Sequence, residues 1–337
     1  MTLATSKTRS TGTAVLAGAA ALATLAVANH VAARWAERRH PPQGSFIEVD
    51  GVRLHYSDRG EGRPVVLIHG NAVTGDDWNT SGVAEQLLRM HRVVIFDRPG
   101  FGYSERPRGR LWTAAQQAEL LHRALRQLGI ERPVIVGHSW GTIVALALAE
   151  RRQAETAGLV LLSGYYFWTL RPDVLLMAAG ALPVLGDVLR YTISPLLGWL
   201  QMPLLKWAMF SPARVPTRFE AEYSPAMALR PSQIRATSVD GALMIPGVLA
   251  LREHYKDLTL PVVIIAGEGD RVVFKRRSEQ LRDSIPGSVL KIVKRAGHMV
   301  HHLAPRQVAQ AVEGMAEASR ASAKPGQPGG SQSGVTT

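Results

Sequence analysis

One pentapeptide constrains this chain more than any other stretch. Gly137-His138-Ser139-Trp140-Gly141 follows the apolar run Pro133-Val134-Ile135-Val136 and precedes Thr142-Ile143-Val144-Ala145-Leu146-Ala147-Leu148-Ala149. The first run reads as a strand and the second as a buried helix. A serine between them sits at the tip of a turn so tight that the positions two before and two after must be almost free of side chain. Glycine stands at both. Such a nucleophile elbow holds a hydroxyl out into a cleft and aims backbone N–H groups at a developing oxyanion.

Around the elbow, short apolar runs alternate with helical patterns, which predicts an α/β fold with a mostly parallel sheet covered by helices. Eight strands are expected, at Phe46–Glu48, Arg53–Tyr56, Val65–His69, Arg92–Phe96, Val134–Val136, Leu159–Leu162, Val262–Ala266 and Val289–Val293, the first two forming a hairpin. The alternation stops after Gly164. Residues 165–256 are apolar helical stretches broken by prolines, and they hold five of the nine methionines and three of the seven tryptophans. They are expected to form an inserted helical lid with an adaptable apolar surface. The remaining organisation follows: a segment and linker over 1–44, a core of 45–164 and 257–320, and a Gly-, Pro- and Ser-rich tail over 321–337 expected to be disordered.

A serine hydroxyl needs a base to take its proton and an acid to orient that base. Asp270 follows the strand Val262–Ala266, and His298 follows the last strand, each in a loop at a strand's C-terminal end. The order Ser139, Asp270, His298 is that of a Ser…Asp…His triad. His301 and His302 compete for the base, but His298 follows Gly297 at the mouth of the loop, while the other two begin the run into the final helix. The three histidines lack the partners of a closed zinc site, so no metal is expected, and the chemistry needs no cofactor. The turn His69-Gly70-Asn71 ends another strand, and the backbone N–H groups of Asn71 and Trp140 are the expected oxyanion donors. His69 and the turn Asp97 to Ser104 read as structural.

The 24 residues between Arg9 and Arg34 carry no formal charge, and ten are alanine. As a helix they would reach roughly 36 Å, enough for a hydrocarbon core of about 30 Å. Residues 10–33 are therefore expected to be an uncleaved membrane anchor; a signal peptide cut after Ala26-Val27-Ala28 is the alternative. Basic residues flank both ends, so the orientation is open. The net charge is +12, and half of it lies in the two termini. No Lys/Arg block interleaved with aromatics appears elsewhere, which argues against nucleic acid. Lys206, Arg214 and Arg218, beside apolar lid residues, suggest contact with anionic lipid, and a lid whose apolar face only roofs the active site is the equal alternative. The chain has no cysteine, which excludes disulfides and thiol chemistry.

His69-Gly70-Asn71, Asp97 to Ser104, Gly137 to Gly141, Gly267 to Asp270 and Gly297-His298 together resemble the α/β-hydrolase superfamily over about residues 46–318. Within it, the chain resembles the lid-bearing epoxide hydrolases and haloalkane dehalogenases. Asn71 and Trp140 look like the halide-holding pair of the dehalogenases. Both families use an aspartate nucleophile, however, and Ser139 departs from that pattern. The resemblance with a serine implies acyl transfer: hydrolysis of a carboxylic ester of an apolar small molecule or lipid. Perhydrolysis, C–C bond hydrolysis, amide hydrolysis and acyl transfer to an alcohol use the same triad. A non-catalytic ligand-binding member would be expected to lose triad residues.

Overall fold

The computed structural model describes residues 4–169 and 178–323, with side chains described between 13 and 315. Eight strands form one sheet: β1 (Ser45–Val49), β2 (Val52–Arg59), β3 (Arg63–Ile68), β4 (His91–Phe96), β5 (Val134–His138), β6 (Gly158–Leu162), β7 (Val262–Gly267) and β8 (Val289–Val293). Their spatial order is β1-β2-β4-β3-β5-β6-β7-β8. The β1/β2 hairpin is antiparallel and joins β4 antiparallel; every other pairing is parallel. Each expected strand is present, with ends moved by a few residues at most. The central strands β5 and β6 are buried throughout, as strands covered on both faces must be.

Among the described residues, the helices of seven residues or more are α1 (Ala4–Arg39), α2 (Ala114–Gln127), α3 (Gly141–Arg151), α4 (Leu185–Tyr191), α5 (Ile193–Phe210), α6 (Pro231–Leu251), α7 (Arg276–Ser284) and α8 (Pro305–Ala323). One face of the sheet packs on α2 and α3, with Leu120, Leu121, Ile143 and Val144 buried against Val66, Ile68 and Ile135. The other packs on α8 and the short helix Val83–Leu87, through Val308, Val312 and Leu87. Burying each such side chain contributes about 1.5–3 kcal/mol. The ends of α2 and α3 contrast. Thr113 and Gln116 form a capping box at the start of α2, whereas α3, directly after the elbow, has no side-chain cap. At its start the Thr142 and Ile143 N–H groups donate to the carbonyls of Ser139 and Trp140, each at 3.0 Å.

Between β6 and β7 the described chain is helical, and this insert includes α4 to α6. The apolar run expected over 174–179 lies mostly outside the described residues, as do residues 324–337 of the tail, while α8 extends to Ala323. At the other end, α1 is a single 36-residue helix. It does not stop at the edge of the charge-free segment. Ala36 is buried, Glu37 pairs with the buried Arg230 at 3.0 Å, and the Tyr103 hydroxyl donates to the His40 carbonyl. Residues 41–44, between α1 and β1, are therefore held at their N-terminal side by the folded domain.

Candidate active site

The elbow forms where the sequence places it. Ser139 has φ 50°, in the left-handed region that a non-glycine residue occupies only when its surroundings hold it there. Its N–H donates to the Leu162 carbonyl at 2.9 Å, and its carbonyl accepts from the Thr142 N–H and hydroxyl. A Cβ on Gly137 would lie 2.8 Å from the Gly141 carbonyl oxygen, and one on Gly141 would press on the carbonyl oxygens of Ile68 and His69. Both glycines are thus required by contact.

Three loops at the C-terminal ends of β5, β7 and β8 bring Ser139, Asp270 and His298 together. His298 Nε2 lies 2.9 Å from Ser139 Oγ, and His298 Nδ1 lies 2.9 Å from Asp270 Oδ2. The other carboxylate oxygen of Asp270 accepts from the N–H groups of Val272 and Val273, each at 2.8 Å. Asp270 and His298 are almost fully buried. This arrangement fixes a tautomer: the imidazole donates through Nδ1 to the carboxylate, leaving Nε2 to accept from the serine hydroxyl.

The competing histidines point elsewhere. His301 Nε2 donates to Asp77 Oδ2 and His302 Nε2 to Asp77 Oδ1, both at 2.8 Å. Burial alone would raise the Asp77 carboxyl, but His302 and His301 outweigh it and hold it well below the ordinary carboxylate range. The pair ties the loop after His298 to the segment after the oxyanion turn. His138 lies beside them: its Nε2 donates to the His298 carbonyl at 3.2 Å, and burial pushes its pKa well down, as it pushes that of His301 to about 4. Asp77, His138 and His301 offer atoms within 4.8 Å of one another, the one convergent set of possible metal ligands among the described residues. Both Asp77 oxygens already accept hydrogen bonds there.

At the oxyanion turn, the N–H groups of Asn71 and Trp140 donate to no protein acceptor among the described residues. The side chains of the same two residues make contacts within the protein. The Trp140 indole donates to the Asp240 carbonyl at 2.9 Å, and Asn71 Oδ1 accepts from Arg98 at 2.7 Å.

Arg98 is the residue that sequence reasoning missed. The turn from Asp97 to Ser104 reads as structural, and Asp97 is so: it accepts from His55, the Gly75 N–H and the Tyr103 N–H. Arg98, fully buried, does more. Its guanidinium donates to the carbonyls of His69 and Gly70, to Asn71 Oδ1, to Gln117 and to Asp240 Oδ2, the last at 2.5 Å. Arg106 and Gln117 bond the other Asp240 oxygen. A buried charge cluster thus links α6 of the insert to the turn bearing the Asn71 N–H. His69 completes it as a neutral imidazole: Nδ1 donates to the Gly70 carbonyl and Nε2 accepts from the Arg98 N–H, while burial and the Arg98 charge lower its pKa to about 4.

A sheet of this order, with an elbow after its central strand and an acid and a histidine after the later ones, defines the α/β type of hydrolase. The family model described as the alpha/beta hydrolase fold matches residues 63–305, and the chain belongs to that family. Among curated proteins it is 28% identical to haloalkane dehalogenase 2 of Mycobacterium tuberculosis over 287 residues, covering 81% of this chain and 94% of that one. It is also 28% identical to the 2-hydroxymuconate semialdehyde hydrolase of Pseudomonas putida over 271 residues, 78% of this chain and 90% of the relative. Among solved structures, a membrane phospholipase A superposes with a TM-score of 0.63 at 21% identity, covering 93% of this chain and 99% of that chain. At that identity the likeness concerns the fold.

Proposed function

We propose that this hydrolase is a membrane-tethered serine esterase acting on an apolar or lipid carboxylic ester. Ser139 attacks the ester carbonyl while His298 takes its proton. The negative charge on the tetrahedral intermediate is received by the N–H groups of Asn71 and Trp140. His298 then returns the proton to the leaving alcohol, and water repeats the sequence on the acyl-enzyme. Asp270 holds the imidazole tautomer and stabilises its charged form. Arg98 acts through Asn71 as a positioning residue.

The single observation that carries this reading is the 2.9 Å contact on each side of the His298 ring, to Ser139 and to Asp270. Dehalogenation is disfavoured despite the relative's name, because the nucleophile position is serine and the Trp140 indole is occupied by Asp240. The tether is residues 10–33. The helix Thr13–Arg39 is long and apolar enough to cross a membrane and its most apolar stretch is not buried, and the phospholipase A of similar fold is itself described as a membrane protein. A fluorophosphonate probe, followed by p-nitrophenyl esters of increasing acyl length, tests the reading. Covalent labelling of Ser139 with turnover of medium or long esters is expected; a protein that neither labels nor turns over any ester would overturn it.

A further inference from the structure

The described surface is apolar in one region. Thirteen of its twenty-six exposed large apolar side chains lie between Leu182 and Trp207, in α4 and α5 and the turn before them, and six more lie on α1. A water-soluble surface rarely gathers so many in one place without a partner. Leu196, Trp199, Leu200, Leu204 and Trp207 are each about half exposed or more, along one helix whose only charged residue is Lys206.

We infer that the exposed face of α5 is a second lipid-contacting surface, seated in the interfacial layer of the bilayer that α1 enters. The inference rests on the tether reading above, and three observations fix the occupant as lipid. First, the surface is continuous with the anchor. Asn29 of α1 donates through its side-chain amide to the carbonyls of Tyr191 and Thr192, at 2.9 and 2.7 Å, and Ile193 opens α5.

Second, the depth agrees. Asn29 lies five residues before Arg34, where the charge-free segment ends, which is about 7 Å along a helix. An interfacial helix buries its apolar face by about 5–10 Å. Third, the charges fit hydrocarbon contact better than an anionic patch. Lys206 pairs with Glu220 at 2.5 Å and Arg218 with Glu222 at 3.0 Å, so two of the three basic residues that suggested anionic lipid are balanced within the protein. Trp199 and Trp207 are of the kind found at the boundary between hydrocarbon and water. The end of α5 also adjoins the His298 loop, the Met299 N–H donating to the Met209 carbonyl at 3.2 Å, so a lipid-seated α5 brings the proposed site towards the phase in which apolar esters dissolve.

The chain contains no cysteine, so single labels are unambiguous. Full-length protein carrying Leu200→Cys, Leu204→Cys, Leu16→Cys or Met90→Cys, each labelled with an environment-sensitive fluorophore, is reconstituted into phosphatidylcholine vesicles with and without doxyl-chain lipid. All four positions are well exposed, so the labels should leave thermal unfolding unchanged. Leu200 and Leu204 labels are expected to shift to the blue and lose intensity to doxyl lipid, as the Leu16 label does, while the Met90 label does neither. Quenching at Leu16 with water-like emission at Leu200 and Leu204 overturns the inference. So does a blue shift at those two sites that doxyl lipid cannot quench, which would mark a face covered by a second copy of the chain. Absence of quenching at Leu16 removes the tether and this inference together, while leaving the fluorophosphonate result to judge the chemistry.

Discussion

At Ser139 the backbone stores strain, on the order of 1–3 kcal/mol for a residue held outside its preferred regions. Replacing it by alanine keeps that backbone and removes only the hydroxyl. Ser139→Ala is therefore expected to fold normally, to lose fluorophosphonate labelling and to drop kcat by about 10⁴ to 10⁶, with His298→Ala similar and the double variant no worse than either. His301→Ala should instead keep labelling and lose about 1–3 kcal/mol of stability, because it leaves an oxygen of buried Asp77 without its partner. Thermal unfolding and labelling of the two histidine variants separate the roles; loss of labelling in His301→Ala alone would exchange them. The buried neutral histidines also predict a pH dependence. His69 titrates near 4 in the fold, against an ordinary value of 6.5, so between those values the unfolded chain binds the extra proton. Stability is then full above pH 6.5 and falls as the pH drops towards 4, by up to about 1.4 kcal/mol per unit for this group, with His138 and His301 acting in the same direction. Urea titrations at pH 7, 6 and 5 should show midpoints that decrease in that order.

Elements differ in how much of them could be read in advance. The elbow was legible because its requirements are local: strand, glycine, serine, glycine and helix are contiguous, and the contacts that forbid a Cβ involve the same turn and its neighbour β3. Gly141→Ala should accordingly destabilise by about 1–3 kcal/mol or more through overpacking and displace the hydroxyl, visible as slower labelling at a temperature where the variant remains folded. The proposed base and acid could be placed from sequence because each follows a strand end. The link between Arg98 and Asp240 was not, since 142 positions separate them and nothing in either neighbourhood names the other. The same holds for Asp77 with His301 and His302, some 224 positions away. Hydrogen bonds of that span are set by how the layers stack, which local pattern does not encode. Asp240→Ala would leave two buried guanidinium groups without their carboxylate and is expected to cost about 3–5 kcal/mol. Its effect on labelling by the probe should be larger than that of a destabilised surface variant with equal unfolding temperature, because Arg98 also holds Asn71.

Across the whole molecule, one helix runs unbroken from the charge-free segment to the folded domain. Sequence shows the charge-free run and a linker within residues 1–44; the Asn29 and Glu37 contacts depend on where the insert lies and are not visible there. Removing residues 1–43 is expected to lower the unfolding temperature as well as to abolish membrane association, since Arg230 loses the Glu37 carboxylate and the last carbonyls of α4 lose Asn29. A flexible linker would have left stability untouched. Rigid attachment also makes the helix a ruler with a phase. Asn29 and the buried Ala36 are seven residues apart, close to two turns, and so lie on one side of α1. One alanine inserted between them would turn one contact away from the other by about 100° and unseat the domain, whereas the same insertion near Ala20 would only lengthen the proposed membrane span by about 1.5 Å. A scan of single insertions along α1, scored by unfolding temperature, should therefore show a sharp step at Asn29 that hydrophobicity alone would not produce.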